Sequence, residues 1–247
     1  MKIGASTLAI ANEKFGENLG YYEDLGLEYI EIVNQYPNID EYDDVLNSFN
    51  FKYTVHSPIM DINIASLNEA IRQTSVNEIK KSMDLATKID ADLVVVHPGN
   101  VPFMGRGLED LIYEIGKKSI IELNEYGQDI GVIPAVENMP DFEGAMHKDI
   151  YVLSEMLESI DTAMTLDVGH ANTLGYAPNE MYFSSIKHIH MSNNFGDDDT
   201  HLPLNEGSID FKEVIDLFES KNYKGIYMLE VTSNDSVEKS LEYIKNL

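Results

Sequence analysis

Thr165-Leu166-Asp167-Val168-Gly169-His170-Ala171 decides the reading of this chain. The apolar, β-prone residues from Ala163 to Leu166 read as a buried strand, and Asp167 and His170 stand at its exit. Gly169 between them permits a sharp turn. A carboxylate and an imidazole at a strand mouth are a candidate pair of metal ligands, and equally an ordinary strand-end hydrogen bond. The two readings separate on whether other strands end the same way.

Working outward, residues 3–7, 29–33, 53–56, 92–97 and 131–137 read as strands upstream, and 186–192 and 225–231 downstream. Helical patterns fall between them at 17–25, 39–49, 66–89, 108–126, 148–157, 179–183, 211–219 and 236–244. Strand–helix units recurring about every 25–35 residues predict an α/β fold, a single TIM (β/α)8 barrel forming one domain over residues 1–247. The strands are near-continuous apolar runs, as burial on both faces demands. An open doubly wound sheet would call for a glycine-rich phosphate loop after the first strand, and Ala5-Ser6-Thr7-Leu8 supplies none.

The 247 residues are 43% hydrophobic, enough for one large core. There is no Cys, so any metal must be held by His, Asp and Glu. The apolar start, residues 3–11, reads as a strand rather than a signal peptide, and no run approaches the roughly 20 apolar residues of a membrane span. A soluble cytoplasmic protein is expected, with no membrane and no protein partner implied. Seventeen basic against 43 acidic residues give a net charge of −26. A surface so negative disfavours phosphate backbones.

The strand ends share a chemistry. His56 closes the third strand, His97 the fourth, Glu137 the fifth, Asp167 with His170 the sixth, His190 the seventh and Glu230 the eighth, while Asp199 and His201 follow in the next loop. A barrel brings these ends to one mouth, where active sites lie. Five of the seven histidines fall here. Each also has a plain structural reading: His56 and His97 as strand-end hydrogen bonders, Glu137 and Glu230 as partners of a lysine. Their convergence favours a metal site, because buried carboxylates are costly unless paired or metal-bound. His188, deeper on the strand of His190, reads as a satisfied core residue, His147 as surface, and Arg106 as a surface residue or an anchor for an anionic group.

The segments His56-Ser-Pro-Ile, Ile62-Asn63, Val96-His97-Pro-Gly99, Val136-Glu137-Asn138, Leu166-Asp167-Val-Gly-His170 and Asp199-x-His201-x-Pro-Leu-x-Glu206-Gly207 resemble, in order, the ligand-bearing motifs of endonuclease IV within the xylose isomerase-like superfamily. The resemblance spans essentially the whole chain. It implies up to three zinc ions, or Mn2+ or another divalent ion in their place. His56 and His97 would hold the first, Asp167, His190 and Glu230 the second with Glu137 bridging, and His170, Asp199 and His201 the third. The acidic loop over residues 34–44 departs from the basic, DNA-facing loops of that family.

Two activities follow as expectations. The first is an endonuclease IV-like hydrolase cleaving a phosphodiester such as an abasic site in DNA, with metal-activated water as nucleophile and Glu137 positioning it. The alternative is a sugar or sugar-phosphate isomerase or epimerase with one ion on Glu137, Asp167, His190 and Glu230, where Glu137 and Glu230 are the catalytic base and acid.

Overall fold

Alternate residues of the strands face two different cores. Val94 and Val96 pack outward with Val55, Val136, Leu166 and Ile189, beneath the helices. Leu93 and Val95 instead join Ala135 in a small cluster on the barrel's inner side. The period of two is the pleat of a strand buried on both faces. In a computed structural model that describes residues 1–10, 15–35 and 43–247, eight such strands close into a parallel barrel in sequence order. They are β1 (Lys2–Ser6), β2 (Tyr29–Val33), β3 (Lys52–His56), β4 (Leu93–Val96), β5 (Ile133–Glu137), β6 (Ala163–Asp167), β7 (Ile186–Met191) and β8 (Ile226–Leu229). β8 pairs back onto β1, leaving no edge. The fold is a single TIM barrel.

The outer layer consists of α1 (Phe15–Asp24), α2 (Asp43–Leu46), α3 (Glu69–Lys88), α4 (Glu109–Ile130), α5 (Ile150–Ser159), α6 (Val168–Thr173), α7 (Phe211–Ser220) and α8 (Asn234–Lys245). Local chemistry sets their starts: Asn68, Asp149, Asp210 and Ser233 each accept a first-turn backbone N–H. Asp149 in that role moves the start of α5 two residues beyond the expected Lys148. Of the helix expected over 39–49, residues 43–46 are helical and 39–42 lie outside the described residues, as do residues 36–42 of the acidic loop. The expected helix at 179–183 is a single 3-10 turn, Pro178–Glu180, because Pro178 fixes its start and the turn goes no further. Among the described residues, no helix is long and apolar enough to cross a membrane.

Extending the alternation upward explains the mouth. Thr54 and His56, Ala135 and Glu137, Thr165 and Asp167, and His188 and His190 occupy inward positions, all buried. The upper layer of the barrel interior is therefore ionisable, above a layer formed by Thr54, Ala135, Thr165 and His188.

His147 corrects one expectation. It is 4% exposed, not a surface residue. Its backbone turns left-handed at φ +53°, which swings the ring inward against Tyr113 at 4.9 Å between centroids. Neither ring nitrogen has a hydrogen-bond partner among the described residues. Burial accordingly pushes the imidazole down to about 4. Below about pH 6.5 the unfolded chain takes up a proton that the folded chain refuses, so stability falls as pH drops from about 6.5 towards 4. The contribution is about 3 kcal/mol over that window. Denaturant titrations of wild type and His147→Gln should therefore converge by about that amount between pH 7 and pH 4; a constant difference would refute a neutral buried imidazole.

Candidate metal centre

Asp167 ends β6 and caps α6 at once. Its Oδ1 accepts the His170 N–H at 2.6 Å, while its Oδ2 points into the mouth with no hydrogen-bond partner among the described residues. One carboxylate thus sets the turn that carries His170 and keeps an oxygen free. Asn138, next to Glu137, locks this strand end by exchanging two bonds with the Asp167 backbone, at 2.8 and 3.0 Å.

The strand ends converge into four groups whose potential ligand atoms lie within 4.8 Å of one another: Glu137, Asp167, His190 and Glu230; His56, His97 and Glu137; His170, Asp199 and His201; and Glu31, His188 and His190. His190 Nδ1 lies 2.7 Å from Glu137 Oε1, 3.0 Å from Glu230 Oε2 and 3.9 Å from Asp167 Oδ2. The other Glu137 oxygen is 2.9 Å from His97 Nε2 and 3.4 Å from His56 Nε2. Asp199 Oδ2 sits 3.1 Å from His170 Nε2 and 3.0 Å from His201 Nε2. All nine expected residues are at one mouth, joined by a tenth, Glu31.

Ring orientation gives the test of fit. The Nδ1 atoms of His56, His170 and His201 lie 2.7, 2.7 and 2.8 Å from the backbone carbonyls of Ser57, Asn138 and Glu230. A carbonyl only accepts, so Nδ1 carries the proton and donates it. That leaves each Nε2 facing the mouth as the atom that would ligate once its proton is displaced, with the ring held by the Nδ1–H bond behind it. His190 is turned the other way, with Nδ1 to the carboxylates and Nε2 3.0 Å from Glu31 Oε1. The donor set and its orphaned carboxylate oxygens suit a divalent ion.

Electrostatics point the same way. Burial lifts Asp167 to about 7; His170 opposes the rise, while Glu230, Glu137 and Asp199 add to it. Burial alone would depress His170 and His201, but the carboxylates around them, Asp167 and Asp199 first among them, raise both to about 10. Glu137 is held well below the usual carboxylate range because His190 and its neighbours outweigh its burial. Without a bound cation the acids hold protons on the imidazoles; a metal ion would displace them.

The loop bearing Asp199 and His201 is tied down by Asn193, whose amide donates to Leu204 O at 2.9 Å and whose oxygen accepts from Ile209 N at 3.1 Å. That tether helps hold His201 at φ +48°, a backbone region uncommon for a residue with a side chain.

Glu31 escaped the sequence reading, although a lone acid within Tyr29-Ile-Glu-Ile-Val33 was the available signal. It is fully buried beneath the mouth, accepts from Thr54 Oγ1 at 3.1 Å, and lies 2.9 Å from His188 Nε2. His188 is buried in the interior as expected, but it is not fully satisfied: Nε2 faces Glu31 while Nδ1 has no hydrogen-bond partner among the described residues. Arg106 turns out to be paired with Glu143 and stacked over Phe103, and it does not line the mouth cavity.

A family model described as xylose isomerase-like TIM barrel matches residues 19–247. The chain belongs to this family. An uncharacterized protein of Methanocaldococcus jannaschii is 30% identical over 260 residues, covering 99% of this chain and 88% of the relative. A solved structure described as a D-tagatose 3-epimerase-like protein is 30% identical with a TM-score of 0.90, covering 100% of this chain and 96% of that one. A D-psicose 3-epimerase solved in the presence of D-fructose shares the fold at 16% identity, with a TM-score of 0.79 and 98% and 90% of the two chains covered.

These comparisons correct the first functional expectation. The solved structures named above are described as a sugar epimerase and an epimerase-like protein, not as hydrolases, and the endonuclease IV-like reading with abasic-site DNA as substrate is withdrawn. The physical reason lies in the mouth. Among the described residues, no lysine or arginine that could hold a phosphate backbone lines its cavity of about 320 Å³.

Removing the acid beneath His190 tests how the centre is held. Glu31→Leu should weaken divalent-ion affinity about 10- to 100-fold in a chelator-competition titration, and Glu31→Gln, which keeps an acceptor for Nε2–H, should restore most of it. Equal affinities in all three proteins would exclude this orienting role.

Proposed function

We propose that this chain is a divalent-metal-dependent isomerase or epimerase of a small sugar or related polyol carbonyl compound. The observation that carries the reading is the convergence of two carboxylates, Glu137 and Glu230, on one imidazole nitrogen, 2.7 and 3.0 Å from His190 Nδ1, where both residues line the cavity. An ion held by Glu137, Asp167, His190 and Glu230 would polarise a substrate carbonyl and its neighbouring hydroxyl, acidifying the hydrogen on the carbon between them.

The chain's own residues then move the proton. Glu137 and Glu230 act as base and acid: removal on one face and return on the other inverts that carbon, whereas return to the adjacent carbon isomerises it. His97 and His56 stand against the second oxygen of Glu137 and take up the charge as its protonation changes. His170, Asp199 and His201 line the cavity within reach of substrate hydroxyls; they and the His56–His97 pair are also the donor sets for a second and third ion, zinc or manganese. The four-residue set alone suffices for the proton transfer. Among the described residues no lysine or arginine lines the cavity, which supports a neutral sugar over a sugar phosphate.

The test is exchange of substrate carbon-bound hydrogen with D2O, followed by NMR for D-tagatose, D-fructose and D-psicose with metal-loaded protein. Glu230→Gln should lower exchange at least about 100-fold, the range for loss of a positioned acid or base. His170→Ala and His201→Ala should retain one ion per chain and measurable exchange. Loss of all metal in His201→Ala, or undiminished exchange in Glu230→Gln, would overturn the assignment of roles.

A further inference from the structure

The cavity over the metal centre has two unlike faces. One is built from the ionisable groups described above. The other is an aliphatic and aromatic wall that includes Leu8, Ile59, Ile62, Ile64, Met139 and Phe142. Its polar members, Asn63 and Asn100, bond to each other. Asn63 Oδ1 accepts from Ala65 N at 3.0 Å and Asn100 N at 3.1 Å, and its amide donates to Asn100 O at 2.9 Å. The two arginines of the chain are engaged elsewhere, Arg72 with Glu69 and Glu122, Arg106 with Glu143. The wall continues onto the lip, where Ile59 is 42% exposed, Met60 58% and Phe142 49%.

A fully hydroxylated sugar cannot satisfy both faces. Hydroxyls turned to the ionisable side find partners, but those turned to the wall lose water and gain no hydrogen bond, costing roughly 10- to 100-fold in affinity each. An apolar group in the same place gains affinity by covering Ile59, Ile62 and Phe142. The dimensions agree, since about 320 Å³ is the low end of small-molecule pockets. We infer that the natural substrate is amphiphilic: a neutral polyol or ketose head over the metal centre, carrying an alkyl or aryl substituent that lies along this wall. The head group rests on the proposed function; the substituent rests on the wall alone.

The probe is a series of methyl, butyl and hexyl β-D-glucosides, kept below micelle-forming concentrations and titrated calorimetrically into metal-loaded protein. Affinity should rise about two- to fourfold per added methylene, the range for partial to full burial. Ile62→Ser and Phe142→Ser should flatten this gradient. Ile133→Ser, which alters an equally exposed apolar residue (43%) at the opposite end of the barrel, should leave it intact. Equal affinity for the methyl and hexyl compounds, no binding of the hexyl compound, or a gradient that survives both wall substitutions would overturn the inference. A normal gradient in a protein that exchanges no ketose hydrogen would remove the proton-transfer reading and leave the amphiphilic wall standing.

Discussion

Four carboxylates crowd one buried imidazole. Glu31, Glu137 and Glu230 lie within 3.0 Å of His190, and Asp167 follows at 3.9 Å. One imidazolium cannot balance them, and carboxylates removed from water must be neutralised by protons, partners or metal. The fold disposes of part of the excess. Glu31 is shared with His188, Glu137 leans on His56 and His97, and burial drives Asp167 towards its protonated form at about 7. What is left over is the charge that the proposed ion would balance. The upper barrel layer thus gives up aliphatic packing for a centre in which protons and the proposed ion would compete for one set of atoms.

Both the barrel and most of its mouth were legible in the sequence because strand geometry has a period of two. Once 163–167 and 186–191 are strands, Asp167 and His190 must lie at the same end and on the same face as Glu137. Glu31 was less visible, since its meaning comes from β7 across the barrel rather than from any neighbour in the chain. His147 was misread for a local reason: a histidine in a polar stretch looks exposed until a left-handed backbone turns it inward.

The activity class was less legible than the ligand set. His, Asp and Glu at strand ends can serve hydrolysis or proton transfer equally, so the motifs that resemble endonuclease IV could not separate the two. The likeness to a solved D-tagatose 3-epimerase-like structure separates them, and the wall opposite the ligands was no more legible. That wall is assembled from Leu8 after β1, Ile59 and Ile62 after β3, and Met139 and Phe142 after β5, residues with no shared pattern along the chain. Positioning likewise depends on long-range ties: Asn193 fixes the loop of Asp199 and His201, and Asn138 locks the end of β6.

Anomalous diffraction from crystals grown with Mn2+ or Zn2+ tests the central claim most directly. The account predicts a strong peak among Glu137, Asp167, His190 and Glu230, with His190 ligating through Nδ1 at about 2.0–2.2 Å. An ion seated instead on Glu31, His188 and His190 Nε2, or a mouth with no peak at saturating metal, would contradict it.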